Sequence, residues 1–473
     1  MARAVMWFRR DLRLDDSPAL SVAAAAGDRG VIPLFVVDPK VVGPVGPNRR
    51  RFLVESLRAL DQMLGGRLVL RRGDPGVVVP AFAADAGASV VAATADFGPY
   101  GRQRDQRVAQ ALAASGRLLV TSSSPYAVAP GMVRGGSGSP LRIFTAFRRA
   151  WEQMGWEEPR PVPDLRYLSA PGDGSLDDLE QELRRGVAAP GRWGLPGWWD
   201  GLPLGPAETL PPAGPAAARA RLDQFAQAQL LHYADDRDRP GREATSRLSP
   251  YLHLGALHPR TVLQRVGTAA GADKLRSELA WRDFYADLVW HRPTSVHQPL
   301  QAFGAHLRWD VDDRARQRFR AWATGGTGYP LVDAGMRQLL SEGWVHNRAR
   351  MVAASFLVKD LHIDWRLGAR WFLWHLVDGD LASNQHGWQW VAGTGTDAAP
   401  FHRIFNPGAQ QQRFDPDATY VRKHLGPEPA LAPAPIVDHA QERREALERF
   451  DEARRRTATA RRRAGVGPDS MLK

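Results

Sequence analysis

Residues 343–407 read GWVHNRARMVAASFLVKDLHIDWRLGARWFLWHLVDGDLASNQHGWQWVAGTGTDAAPFHRIFNP. Apolar side chains recur at helical spacing through Met351, Ala354, Phe356, Leu357 and Leu361. They recur again through Trp371, Phe372, Trp374 and Leu376, a period that predicts packed helices. Among them stand Asn347, Arg348, Arg350, Asp378, Asp380 and Asn384, with Trp344, Trp365, Trp388 and Trp390 nearby. Polar groups amid so much aromatic surface need partners, because burying them unpaired is costly. Two arrangements supply partners. One is an aromatic-rich helical core whose Asn and Asp residues pair internally. The other is a large planar cofactor, with stacking faces and polar edges.

Upstream, residues 1–130 alternate short apolar runs with helix-length spacers. The runs are Ala4–Phe8, Val31–Val37, Leu68–Leu70, Ser89–Ala93 and Leu118–Thr121. Runs apolar on both faces predict a parallel sheet covered by helices. Ligands of such sheets lie beyond the carboxyl ends of the strands. Arg9, Arg10 and Asp11 follow the first run, Phe35 and Asp38 close the second, and Asp96–Arg102 follows the fourth. Ordinary loop polarity also accounts for these residues.

Residues 131–215 are rich in Gly, Pro and Trp and read as an interdomain linker with a short helix near Ile143–Met154. Trp198 and Trp199 are expected to pack between domains. From 216 to 425 the pattern is helical almost throughout. Within it, Ser249–Pro250 reads as a helix cap followed by a first-position proline. Residues 426–473 are Pro-rich, then heavily charged, and are expected to form a solvated basic tail.

Composition narrows the function. The 473 residues suffice for two or three domains. With no cysteine there is no disulfide, thiolate metal site or thiol nucleophile. A net charge of +12, almost all of it arginine, suits a polyanionic partner. The start, MARAVMWFRRDLRLDD, does not read as a signal peptide, and no apolar run has membrane-spanning length. A soluble cytoplasmic monomer is expected. Gly393–Ala398 fits the letters of a dinucleotide fingerprint but opens no βαβ unit, and no metal site is suggested.

The 343–407 stretch resembles the flavin-binding core of the photolyase/cryptochrome family. So do TSRLSPYLHLG at Thr245–Gly255 and SELAWRDFY at Ser277–Tyr285, and the likeness runs from Met1 to about Leu425. The resemblance implies a Rossmann-like α/β antenna domain followed by an all-α FAD-binding domain. It implies reduced, anionic FAD as the working cofactor. Tyr233, Thr245, Ser246, Arg247, Leu248 and Ser249 would hold the diphosphate and its surroundings. Arg350, Asp378, Asp380 and Asn384 would line the ring and ribityl chain, with Asn384 near N5. Trp388, Trp365 and Trp309 match the family's electron relay, although tryptophan more often simply fills cores.

The same resemblance places the substrate among Glu278, Trp281, Asn347, Met351 and Trp390. Trp281 and Trp390 would flank a flat, flipped-out lesion, and Glu278 and Asn384 would serve the reaction. Arg237 and Arg348 would neutralise flanking phosphates. Relatives that act on (6-4) photoproducts carry a His pair where Asn347 and Met351 stand, so cyclobutane pyrimidine dimers in DNA are the implied substrate. In the antenna domain, GPYGRQRD at Gly98–Asp105 resembles members that bind an 8-hydroxy-5-deazaflavin rather than a folate. Phe35, Asp38, Asp96 and Arg102 are the implied antenna contacts. A cryptochrome-like photoreceptor without repair activity, and a flavoprotein that binds nucleic acid without repair, are the alternatives.

Overall fold

The computed structural model describes residues 3–185, 197–396, 404–427 and 434–463. Five strands form one sheet in the order β3-β2-β1-β4-β5: β1 Arg3–Phe8, β2 Val31–Val37, β3 Val69–Arg72, β4 Ala88–Thr94 and β5 Leu118–Ser122. Every pairing is parallel, with Ala4 opposite Val31 and Val90 opposite Leu118. The buried strands β1 and β2 are apolar on both faces, as a parallel sheet demands. Strand order reverses between β1 and β4, so the crevice for a ligand opens beyond their carboxyl ends.

The high proline content has a structural use. Pro18, Pro47, Pro75, Pro99, Pro259, Pro330 and Pro407 all sit in the first turn of helices, where a missing N–H costs nothing.

One face of the sheet packs Val5, Trp7, Ile32 and Leu34 against Val79, Phe82, Val108 and Leu112. The other face belongs to a core that runs without a break from Met6 and Phe8 through Phe52 and Leu57 to Tyr251, Leu254 and Phe284. The α/β and helical halves therefore share one hydrophobic core. Backbones touch at the junction. A Cβ at Gly46 would lie 1.9 Å from the Trp374 carbonyl oxygen, and one at Gly255 would lie 2.1 Å from that of Arg10. A second core, around Trp322, Phe356, Leu361, Trp365 and Trp371, belongs to the helical half alone.

Three expectations change. The linker stretch contains the expected helix, Phe144–Met154, but also a second, Leu176–Arg185. The second buries Leu179 and Leu183, and Arg58 binds Asp177 and Glu180 on it. Trp198 and Trp199 pack on Phe319 and on Trp371 and Trp374, inside the helical half. The solvated tail is replaced, over His439–Arg463, by a helix with buried Ala446, Phe450 and Ala453. Those three residues form a narrow stripe one helical face wide, which the surrounding charge hides from a reading by composition. Residues 464–473 of that tail and Asp397–Arg403 of the last motif lie outside the described residues.

Candidate cofactor and lesion site

The helix Ser249–Leu254 begins beside the turn that joins the helix Trp365–His375 to the helix Leu381–Ala392. There Asp378 accepts from the Ser249 hydroxyl at 2.6 Å and from Arg350 at 2.8 Å, both on Oδ2. Its Oδ1 is buried without a partner among the described residues. Arg247 Nε is likewise buried and unpartnered. A ribityl hydroxyl and a phosphate oxygen would satisfy these two atoms, so the residues fit an FAD.

Arg247 adopts a left-handed conformation, φ 50°, which turns the chain back at this point. Its guanidinium lies 4.3 Å from the Trp344 ring centroid and reaches Glu342 at 3.2 Å. The carbonyls of Thr245 and Ser246 are taken by Arg221. Tyr233 is buried, and burial raises its hydroxyl pKa.

Asp380 caps its helix by accepting from Ser383 N at 3.0 Å and pairs with Arg10 at 2.9 Å. Burial opposes its ionisation, but Arg10, Arg282 and His253 outweigh that and hold it well below the carboxylate range. Arg10 was legible only as a residue at the end of β1. Its partner stands 370 residues further on, a distance no local pattern spans. Arg49 was also missed; it donates to the Gly379 carbonyl at 2.9 Å. Asn384 spends both amide hydrogens on the protein, on the Ala369 carbonyl and on Gln385, each at 3.0 Å.

Glu278 and Trp281 lie one turn apart on the helix Ala272–His291. Phe144 covers one face of the Trp281 indole, with ring centroids 3.6 Å apart and planes 8° from parallel. Asn347 and Met351 are one turn apart on the helix Asn347–Ser355, Asn347 exposed and Met351 half-buried. Trp390, on the helix Leu381–Ala392, is half-buried.

The two expected phosphate contacts are already engaged. Arg237 pairs with Glu278 at 2.5 Å, and Arg348 pairs with Asp238 at 2.9 Å while stacking 4.0 Å over Phe414. Neither arginine stands free, because a largely desolvated cation needs a counter-charge.

Trp388 and Trp365 are buried. Trp388 packs on Gly368, where a Cβ would come within 2.2 Å of the indole, one turn along the helix from Trp365. Trp309 is half-buried at the edge of this core, against Leu307, Phe450 and Ala453. Trp322, which sequence reasoning passed over, meets Trp388 edge-on at 6.1 Å.

At the carboxyl end of the sheet, Asp38 accepts from Tyr100 and from Lys40 N at 2.9 Å. Burial opposes ionisation of Asp96, but Arg104, Arg9 and Arg10 lower its pKa all the same. Arg102 leaves this group and stacks 3.8 Å over Trp290 of the helical half. Phe35 is buried in the shared core rather than facing the crevice alone.

Among the described residues, no group of His, Asp or Glu is placed to hold a metal, and no helix is long and apolar enough to cross a membrane.

Two family descriptions match the chain: "DNA photolyase" over residues 4–164 and "FAD binding domain of DNA photolyase" over residues 275–432. A deoxyribodipyrimidine photo-lyase of Streptomyces griseus is 40% identical, over 89% of both chains. That of Halobacterium salinarum is 37% identical, over 95% of this chain and 99% of the relative. This chain belongs to the DNA photolyase family. Solved structures agree. A class III photolyase from Agrobacterium tumefaciens superimposes with a TM-score of 0.84 at 34% identity, covering 96% of this chain and 98% of that one. A cryptochrome from Synechocystis is similar at TM-score 0.78 and 26% identity, over 94% and 98% of the two chains. The α/β half and the helical half are thus the two halves of a photolyase, and the second carries the family's FAD-binding domain.

Proposed function

We propose that this protein repairs cyclobutane pyrimidine dimers in DNA with light. When bound, reduced FAD supplies an electron on excitation, the dimer splits, and the electron returns. The observation that carries the reading is the wall formed by Glu278 and Trp281, which offers an acid and a flat aromatic surface one turn apart. Aromatic faces hold unstacked bases. Extrusion of the target is general to enzymes, photolyases among them, that must reach a base inside a duplex.

The other residues take supporting roles. Asp378, with one oxygen bonded and one free, holds the cofactor on Ser249 and Arg350. Asn384 presents its carbonyl to the ring near N5. Arg237 is released from Glu278 to meet a phosphate, and the freed Glu278 carboxyl hydrogen-bonds the pyrimidine pair. Asp238 holds the place that a second phosphate takes on Arg348. Asn347 and Met351 provide no acid for oxygen transfer between bases, which favours cyclobutane dimers over (6-4) photoproducts. Trp388, Trp365 and Trp309 would relay an electron from a reductant in solution toward the cofactor, Trp309 being the outermost. A deazaflavin in the crevice between β1 and β4 serves as antenna, near Asp38, Asp96 and Arg102.

The names of the relatives support a lyase, and the Synechocystis neighbour keeps a photoreceptor in view. Binding to a duplex with one thymine dimer, against the same duplex undamaged, separates the two. A repair enzyme prefers the dimer strongly in the dark, and equal affinities would reject the reading.

A further inference from the structure

The segment Arg142–Phe144 touches Trp281 and the turn that follows the helix carrying Trp390. On one side Phe144 lies flat on Trp281, at 3.6 Å and 8°, while meeting Phe284 edge-on at 5.8 Å. On the other side the Arg142 carbonyl accepts from the Thr396 hydroxyl. Thr396 stands just past the helix Leu381–Ala392, which carries Trp390. The turn holding it is itself fixed, because the Gln301 side chain donates to the Gly395 carbonyl at 3.2 Å. Gln301 N also donates to the Thr394 carbonyl at 2.8 Å.

The stacking geometry is informative. Aromatic rings left to themselves prefer offset or edge-on contact over a full face-to-face sandwich. A parallel pair with centroids only 3.6 Å apart is a closer and flatter contact than that preference gives. Burial does not demand it, for Arg142 and Ile143 are exposed and Phe144 is only half-buried.

We propose that Arg142–Phe144 is a brace that fixes the width of the lesion pocket, with Phe144 as a positioning residue for Trp281. The inference rests on the reading that Trp281 stacks on the flipped dimer. Phe144 sets the plane of the indole before DNA arrives, and the Thr396 bond ties that plane to the Trp390 wall. Pre-set geometry lowers the ordering cost of binding, so the brace acts on lesion affinity rather than on the chemical step.

The test uses full-length, FAD-loaded protein with Phe144→Leu, Phe144→Tyr and Thr396→Val. Dissociation constants are measured on a duplex with one cyclobutane thymine dimer and on its undamaged twin, and KM and kcat are measured in light. Phe144→Leu should raise Kd and KM for the dimer duplex roughly two- to tenfold, the worth of an aromatic pair. Its kcat, undamaged-DNA affinity and flavin absorbance should stay at wild-type values. Phe144→Tyr should restore dimer affinity, and Thr396→Val should show a smaller loss of the same kind. The brace is overturned if Phe144→Leu binds dimer DNA as well as or better than wild type, weakens both duplexes equally, or is not rescued by tyrosine. If wild type itself fails to prefer the dimer duplex, the stacking role of Trp281 falls first and the brace falls with it.

Discussion

Asp378 receives two donors on one oxygen and leaves the other buried and bare. Hydrogen bonds to charged groups are worth about 1.5–3 kcal/mol. Asp378→Asn keeps the shape but removes the charge that holds Arg350. FAD retention should therefore weaken about ten- to a hundredfold, read from the flavin-to-protein absorbance ratio during dilution. An unchanged ratio would mean that Asp378 serves only the protein's own packing. Trp281→Ala should behave differently, losing ~1–3 kcal/mol of affinity for dimer DNA through stacking while retaining FAD. An equal loss on undamaged DNA would place the substrate elsewhere. At this scale the sequence was legible where a side chain sits inside a long motif, as Ser249, Arg350 and Asp378 do. It was illegible where the partner is distant. Arg10 and Phe144 reach the site from segments that read as strand end and linker, and only the closed fold shows what they touch.

The helix His439–Arg463 is the element that changes most between sequence and structure. Its apolar stripe of Ala446, Phe450 and Ala453 is outnumbered by charges, so periodicity is faint. The charges are also structural. Glu442 binds His362 at 2.8 Å and Arg318 at 3.1 Å, and Arg449 binds Asp310 at 2.7 Å. Beneath it lies a π-helical turn, Phe356–Asp360, whose buried Lys359 donates to the Ala392 carbonyl at 3.0 Å and sits 3.6 Å over the Phe450 ring. Burial, with Arg454 nearby, lowers the Lys359 pKa well below its usual value. Phe450 is 3% exposed, and truncating such a residue costs about 3–5 kcal/mol. Phe450→Ala should lower Tm and expose the terminal helix to limited proteolysis. A wild-type Tm in that variant would mean that the helix contributes nothing to the fold. The strands, by contrast, were readable to within a residue or two, because runs apolar on both faces admit few alternatives.

Across the whole molecule, buried histidines contribute to the response to acid. Burial holds His258, His346 and His386 down to about 4 and His375 to about 3. Their folded pKa values lie below the unfolded value of ~6.5, so the unfolded chain binds more protons as pH falls. Their contribution is full above pH ~6.5 and is lost as pH drops toward the folded values. Asp283, raised by burial to about 6, works in the opposite sense, its contribution fading as pH rises from ~4 to ~6. His375 leaves both ring nitrogens without a partner among the described residues and lies tilted against Trp371, with ring centroids 4.3 Å apart. His375→Phe should therefore flatten the loss of stability below pH ~6 by up to about 1.4 kcal/mol per pH unit, read from urea midpoints between pH 4 and 8. An unchanged slope would mean that His375 titrates alike in both states. The shared core that joins the two halves lets one site draw on both, with Arg10 from the sheet meeting Asp380 from the helices. The proposed activity of this site is light-driven repair. It is tested by counting thymine dimers in a duplex incubated with FAD-loaded, reduced protein, under blue light and in the dark. Dimers should disappear in light and persist in the dark. Persistence in both, with cofactor bound and reduced, would contradict the account.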